Sequence, residues 1–284
     1  MTYVDDAFTG LKKNLEITTT ERDLAVSRHH RIRDFIRQHW SLADDFLTGS
    51  YDRHTKTKKL KDVDIFVVID PDGPQAHLAD GTGTAAVTAL AEVVQKNWSD
   101  TQTDDTVVTI SYTGEEVASY EIAPAFATDN GYKIPAGTGW MNTDPNEHAR
   151  LVTEKNKQCN DKFVPLVKMI KGMNRQAGEP IQPSFLIEVM ALELVESPLG
   201  AFKDEVRFLL ASMADQIVED WPDPAGLGPD VNAGSDTWRR SQDQTHLRSW
   251  LASAEEAILL EADGKERAAV DKWRELFGDR MPRP

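Results

Sequence analysis

The 284-residue chain contains one cysteine, Cys159. No internal disulfide can form, and the loneliness of Cys159 argues against a structural zinc site, as does the want of any His/Cys cluster with zinc spacing. A single thiol fits a reducing compartment, so the expected location is the cytoplasm and the expected state a buried or half-buried side chain. The chain has no run of 18 apolar residues and hence no expected membrane span. Its start, Met1-Thr2-Tyr3-Val4-Asp5-Asp6, offers neither a basic nor an apolar segment, so no signal peptide is expected. Positive charge is scarce: 32 Lys and Arg stand against 47 Asp and Glu, a net −15. A field of that sign repels a nucleic-acid backbone and disfavours broad DNA or RNA binding. It leaves room for a small nucleotide, whose phosphates metal ions and a few local lysines can neutralise.

Hydrophobic residues make up 40% of the chain, enough for a real core. A helix is expected over residues 5–16. A capping box at Thr18 and Glu21 announces a second, with Leu24, Val26, Ile32, Phe35 and Ile36 supplying an approximate apolar face up to Trp40. Asp45-Phe46-Leu47-Thr48 reads as a brief strand, and residues 63–69 as a long one stopped by Asp70-Pro71-Asp72-Gly73-Pro74. Val107–Tyr112 and Val117–Ala123 read as strands of a hairpin turning at Thr113-Gly114-Glu115-Glu116, with Pro124 ending the second. Beyond residue 140 the pattern becomes helical, with helices near 145–158, 161–175, 183–195, 199–219, 241–262 and 264–277. The order, a mixed α/β half and then a helical half, argues for an α+β fold. His29 and His30 are expected on a helix surface, and Trp238, Trp250 and Trp273 as core anchors.

The chemistry centres on Asp62-Val63-Asp64 at the head of the long strand. Strand side chains alternate, so both carboxylates share a face. Like charges side by side are costly unless a cation sits between them, and Mg²⁺ prefers such oxygen ligands. Upstream, Gly49-Ser50 follows a short strand: glycine permits close backbone approach and serine offers a hydroxyl suited to phosphate. Downstream, alternation puts Val117, Ser119, Glu121 and Ala123 on one face, making Glu121 a third candidate carboxylate. Basic residues recur at helical spacing at Lys168, Lys171 and Arg175. Arg53, Lys56, Lys58, Lys59 and Lys61 form a basic loop, read either as solvated or as an aid in holding phosphates.

Gly49-Ser50, Asp62-Val63-Asp64 and Glu121 together resemble the polymerase-β-like nucleotidyltransferase superfamily. The finer resemblance is to the bacterial cyclic-oligonucleotide synthases (CD-NTases) related to cyclic GMP–AMP synthase and 2′-5′ oligoadenylate synthase. It rests on GSYDRHTKTKKLKDVDIFVVI, YEIAPAF, GWMNTDPNEH, FVPLVKMIKGMNRQ, PSFLIEVMALEL and DPAGLGPDVN, spread over residues 49–232, about two-thirds of the chain. The resemblance implies a mixed-sheet catalytic core over residues 1–140 and a helical lobe over 141–284, bilobal with a central cleft. It implies that Asp62, Asp64 and Glu121 hold two Mg²⁺ ions, with Mn²⁺ able to substitute, and that Gly49 and Ser50 cradle phosphates. Lys171 would neutralise the triphosphate, with Lys168 its rival, and Ser184 would add a phosphate hydrogen bond or serve as a helix N-cap. The family usually carries Asp where this chain has Glu121, one methylene longer.

The implied activity joins NTPs, ATP among them, into a cyclic di- or trinucleotide signal with release of pyrophosphate. A role in anti-phage defence and a protein activator or regulator follow from the resemblance alone. Rival readings are a tRNA CCA-adding enzyme, which the charge of −15 disfavours, an antibiotic or protein nucleotidyltransferase, and a non-catalytic nucleotide-binding regulator. The last is disfavoured by the intact carboxylates.

Overall fold

The computed structural model describes residues 2–112, 114–115 and 117–284. In chain order the elements are α1 (Tyr3–Leu15), α2 (Thr19–Arg37), β1 (Leu42–Thr48), a single turn α3 (Gly49–Asp52), β2 (Asp62–Ile69) and α4 (Gly83–Val94). Then come β3 (Thr101–Thr103), β4 (Val108–Ser111), β5 (Ser119–Thr128), β6 (Gly131–Ala136) and β7 (Gly139–Thr143). Six helices follow: α5 (Pro145–Gln158), α6 (Phe163–Gln176), α7 (Phe185–Leu194), α8 (Phe202–Gln216), α9 (Thr237–Ala262) and α10 (Glu266–Phe277).

Packing divides the chain into two compact units, one of Met1–Glu16 with Arg150–Pro284 and one of Ile17–Ala149. The boundary expected at residue 140 thus moves, and α1 joins the C-terminal helices. The reason is its apolar stripe. Val4, Ala7, Phe8, Leu11 and Leu15 are buried in the same cluster as Phe163, Leu210, Trp273 and Phe277. The Phe8 ring meets Trp273 edge-on, 5.0 Å between centroids. Close approach of α1 to α6 depends on Gly172, where an added Cβ would lie 2.9 Å from Leu15 Cδ2.

The Ile17–Ala149 unit is built on a sheet ordered β1-β2-β5-β4-β3, with the β6–β7 hairpin attached to the end of β5. β2 and β5 run parallel, and the other pairs are antiparallel. Alternation along β2 sends Val63, Ile65, Val67 and Ile69 into a core shared with Ile32 and Ile36 of α2 and Val87 and Leu90 of α4. Phe66 and Val68 point the other way and pack with Ala123 and Ala125 of β5, Phe46 and Tyr132. One sheet face is therefore covered by helices, and the opposite face holds a smaller apolar cluster with Asp62 and Asp64 in line with it.

Several expectations change. Pro124 does not end β5, which runs on to Thr128. Pairing with β4 stops at Ile122 and pairing with β6 starts at Phe126, so Pro124 sits where that edge needs no N–H donor. Val117 lies before the strand begins and packs with Tyr120 and Ile122, not on the face of Glu121. The β6–β7 hairpin was not expected, because Pro135 and two glycines mask its short period-2 pattern, and neither was β3, a polar strand of three residues. The expected hairpin turn includes Thr113 and Glu116, which lie outside the described residues. His29 is not on the surface: it is buried, its Nε2 3.0 Å from Asp45 Oδ2. Burial lowers its pKa, opposed by the Asp45 carboxylate. Trp250 and Trp273 are core residues, but Trp238, in the first turn of α9, is 69% exposed. Cys159 is buried and free.

Phe8→Ala should cost about 3–5 kcal/mol, the usual loss for a deleted buried aromatic ring. Urea unfolding followed by tryptophan fluorescence would show a lower midpoint. An unchanged midpoint would place α1 outside the helical core.

Candidate active site

The β2–β5 register creates the site. In that parallel pair Asp62 lies beside Ser119 and Asp64 beside Glu121, and neighbouring strands are only about 4.8 Å apart. Asp62 and Asp64 share a face because they are two residues apart on β2. The result is a cluster in which one carboxylate oxygen each of Asp62, Asp64 and Glu121 lie within 4.8 Å of one another. All three are half-buried.

That arrangement is electrostatically strained. Burial, and then the carboxylates of Asp64 and Asp62, push Glu121 up to about 7. Three hard oxygen donors at this spacing suit Mg²⁺ or Mn²⁺ and offer nothing to a soft, thiolate-preferring metal. The extra methylene of Glu121 does not keep its carboxylate out of the cluster.

Gly49 is held against the same cluster. β1 pairs antiparallel with β2, placing Thr48 opposite Asp64 and bringing the next residue over its carboxylate. Gly49 has φ +65°, and a Cβ there would lie 1.9 Å from Asp64 Oδ2. Both the left-handed backbone and the contact exclude a side chain. Ser50 is buried beside it, and its carbonyl accepts the backbone N–H of Thr55 and of Lys56, each at 3.0 Å. The loop so closed carries Lys56 to Asp62, Nζ donating to Oδ2 at 2.6 Å. Lys56 is thus an ion-pair partner of the carboxylates, not a solvated loop lysine.

Residues 1–156 match the profile of the Second Messenger Oligonucleotide or Dinucleotide Synthetase domain, more than half of the chain. The chain belongs to this family. A curated relative, the cyclic AMP-AMP-AMP synthase of Acinetobacter sp., is 24% identical over 97% of this chain and 84% of its own length. Among solved structures, Bradyrhizobium diazoefficiens CdnG in complex with GTP superposes with a TM-score of 0.76 at 15% identity, over 98% of this chain and 96% of that one. Escherichia coli MS115-1 CdnC, solved with HORMA-deltaN, gives 0.74 at 15% identity over 96% of each chain. The mixed sheet with helices is the fold of these proteins, and as a member of the synthetase family the chain is a nucleotidyltransferase.

Other residues of this synthetase lie in the helical unit. Lys171 on α6 is buried and donates from Nζ to Glu188 Oε1 of α7 at 2.8 Å, and Glu188 is fully buried. Lys168, one turn earlier, is committed to Glu16 Oε2 at 2.5 Å. Neither is an exposed helix lysine. Ser184 directly precedes α7, but its side chain makes no capping hydrogen bond. Two functions were not readable from sequence. Glu21 closes the expected capping box with Thr18, yet it is fully buried and its Oε1 also accepts the backbone N–H of Leu60 at 3.0 Å. It thereby fixes the approach to Asp62. The one signal for it was the capping box, which accounts for a Glu at that position without the second bond. Lys56 stood out only as one of five basic residues in a loop.

Two measurements follow from this geometry. Glu121 has a folded pKa raised above its ordinary value of 4.5 to about 7. The folded protein therefore holds a proton that the unfolded chain releases, and the stability this gives, complete below about 4.5, is lost as pH rises through about 7. Melting curves in chelator should fall between pH 5 and pH 8 for the wild type more than for Glu121→Gln. Mg²⁺ at pH 8 should raise the wild type more than the variant, and parallel curves would refute the strained cluster. Separately, Lys171→Ala leaves the buried Glu188 without its ammonium and should cost about 3–5 kcal/mol in urea unfolding. Glu188→Gln in the Lys171→Ala background should recover part of that loss.

Proposed function

We infer that this synthetase condenses NTPs into a cyclic di- or trinucleotide second messenger, with release of pyrophosphate, at Asp62, Asp64 and Glu121. The observation that carries the reading is the convergence of these carboxylates at one point beside Gly49. In the reaction a ribose hydroxyl of one nucleotide attacks the α-phosphorus of another. A P–O bond forms, the bond to pyrophosphate breaks, and the hydroxyl proton passes to solvent. Repetition within one molecule closes the ring.

Asp62 and Asp64 are the proposed ligands of the nucleotide-bound Mg²⁺, with Glu121 completing the set on the hydroxyl side. When bound, the two ions would lower the pKa of the attacking hydroxyl and neutralise the leaving pyrophosphate. The chain's own part is to orient. Gly49 lets the triphosphate approach the backbone, Ser50 contributes a hydrogen bond to it, and the rigid β2–β5 pair fixes the carboxylates before substrate arrives. Lys171 and Ser184 are proposed phosphate contacts from the helical unit. For Lys171 that contact requires exchanging Glu188 for a phosphate.

ATP is the first substrate to test, since the Acinetobacter relative is named a cyclic AMP-AMP-AMP synthase. A protein regulator is part of the reading, because CdnC was solved with HORMA-deltaN. Among the described residues no helix is long and apolar enough to cross a membrane. Together with one free thiol this favours a cytoplasmic enzyme. Signalling in anti-phage defence is the role proposed for its product.

The test is incubation of the purified protein with labelled ATP, GTP, CTP and UTP and Mg²⁺ or Mn²⁺, then phosphatase digestion and mass analysis. A phosphatase-resistant cyclic product is expected. Asp62→Asn with Asp64→Asn should reduce its formation at least ~10³-fold, since several kcal/mol of charge stabilisation is lost, while the fold is kept. A linear product transferred to tRNA or to a small acceptor would replace the cyclic reading, and turnover by the double variant would remove the carboxylates from the mechanism.

A further inference from the structure

Lys56 stands at the carboxylate cluster in a way that motif spacing does not require. Its Nζ donates to Asp62 Oδ2 at 2.6 Å, and its side chain is 13% exposed. The loop bearing it is anchored on both sides. Thr55 and Thr57 are buried, Leu60 is buried with its N–H on Glu21, and Ser50 accepts the backbone N–H groups of Thr55 and Lys56. The ammonium is therefore delivered to Asp62 by a built loop and is not a surface side chain that drifted into reach.

We propose that Lys56 is the countercation of the Asp62–Asp64–Glu121 cluster before a metal ion arrives, and that it couples metal binding to nucleotide binding. The proposal rests on the metal-dependent reading above. A dication and an ammonium on the same carboxylate oxygen repel each other strongly, because the separation is short and the place is away from bulk water. A dication taking Asp62 displaces the ammonium. Without nucleotide, the displaced Lys56 loses its partner in a partly buried place, so metal alone binds weakly. With nucleotide, the triphosphate brought by the metal supplies a new anionic partner for the same ammonium. The displacement penalty is then offset, and metal and nucleotide favour each other by linkage. Between turnovers the ammonium also offsets part of the negative charge at Asp62.

The test is Mn²⁺ binding followed by electron paramagnetic resonance, for the wild type, Lys56→Met and Lys56→Arg, each with and without a non-hydrolysable ATP analogue. Lys56→Met should bind Mn²⁺ alone about tenfold more tightly than the wild type, within the usual range of coupling between sites. The analogue should then improve Mn²⁺ affinity less in Lys56→Met than in the wild type. Lys56→Arg keeps the charge and should follow the wild type. Mn²⁺ affinity in Lys56→Met equal to or weaker than wild type, or Lys56→Arg behaving as Lys56→Met, overturns the proposal and leaves the synthase reading standing. If no variant binds Mn²⁺, even with the analogue, the metal-dependent reading falls and this proposal with it.

Discussion

Like-charge crowding at the head of β2 is the constraint on which the site depends. Asp62, Asp64 and Glu121 are brought within 4.8 Å by a parallel register that also pairs Ile65 with Ile122 and Val67 with Pro124. The carboxylates cannot separate without slipping the central strands. Such a slip would turn Val63, Ile65, Val67 and Ile69 away from α2 and α4 and lose the core. Hydrophobic burial on one face thus holds the repulsion in place on the other. A raised Glu121, a glycine under Asp64 and a lysine on Asp62 are three consequences of that arrangement.

The rest of the Ile17–Ala149 unit supports this arrangement. β1 places Gly49 where no side chain fits, the Ser50 carbonyl closes the following loop, and Glu21 on α2 fastens Leu60 just before Asp62. The helical unit is stabilised differently. Its core gathers α1 with the C-terminal helices, and its buried charge is kept in close pairs such as Lys171 with Glu188. A buried pair of this kind adds little net stability because both charges are desolvated, yet removing one partner is costly, which makes it a structural element first. Membership of the second-messenger synthetase family is the reason the carboxylate cluster is the proposed site of its chemistry.

Much of this was legible along the chain, for identifiable reasons. The capping box at Thr18 and Glu21 is local, and so is the alternation that puts Asp62 and Asp64 on one face, so both could be read. The helices after residue 140 have long apolar periods and were read within a few residues. Pro124 was misread because a proline in a strand is judged by its neighbours across the sheet, which the sequence does not name. His29 and Trp238 were misread for the same reason in opposite directions: one side chain meets Asp45 on β1, and the other stays largely exposed.

The sequence by itself determined the types of chemistry present. It supplied a Gly-Ser turn, two carboxylates with a period of two, a third on a later strand and a surplus of negative charge, all of them local or additive properties. Only the tertiary structure decided which charges meet. Glu121 reaches Asp64 through a register set 57 positions away in the chain, Lys56 folds back on Asp62, and Lys171 is taken by Glu188. Pairing of this kind depends on separation in space, which falls steeply in importance with distance for ions in water and which linear spacing does not encode.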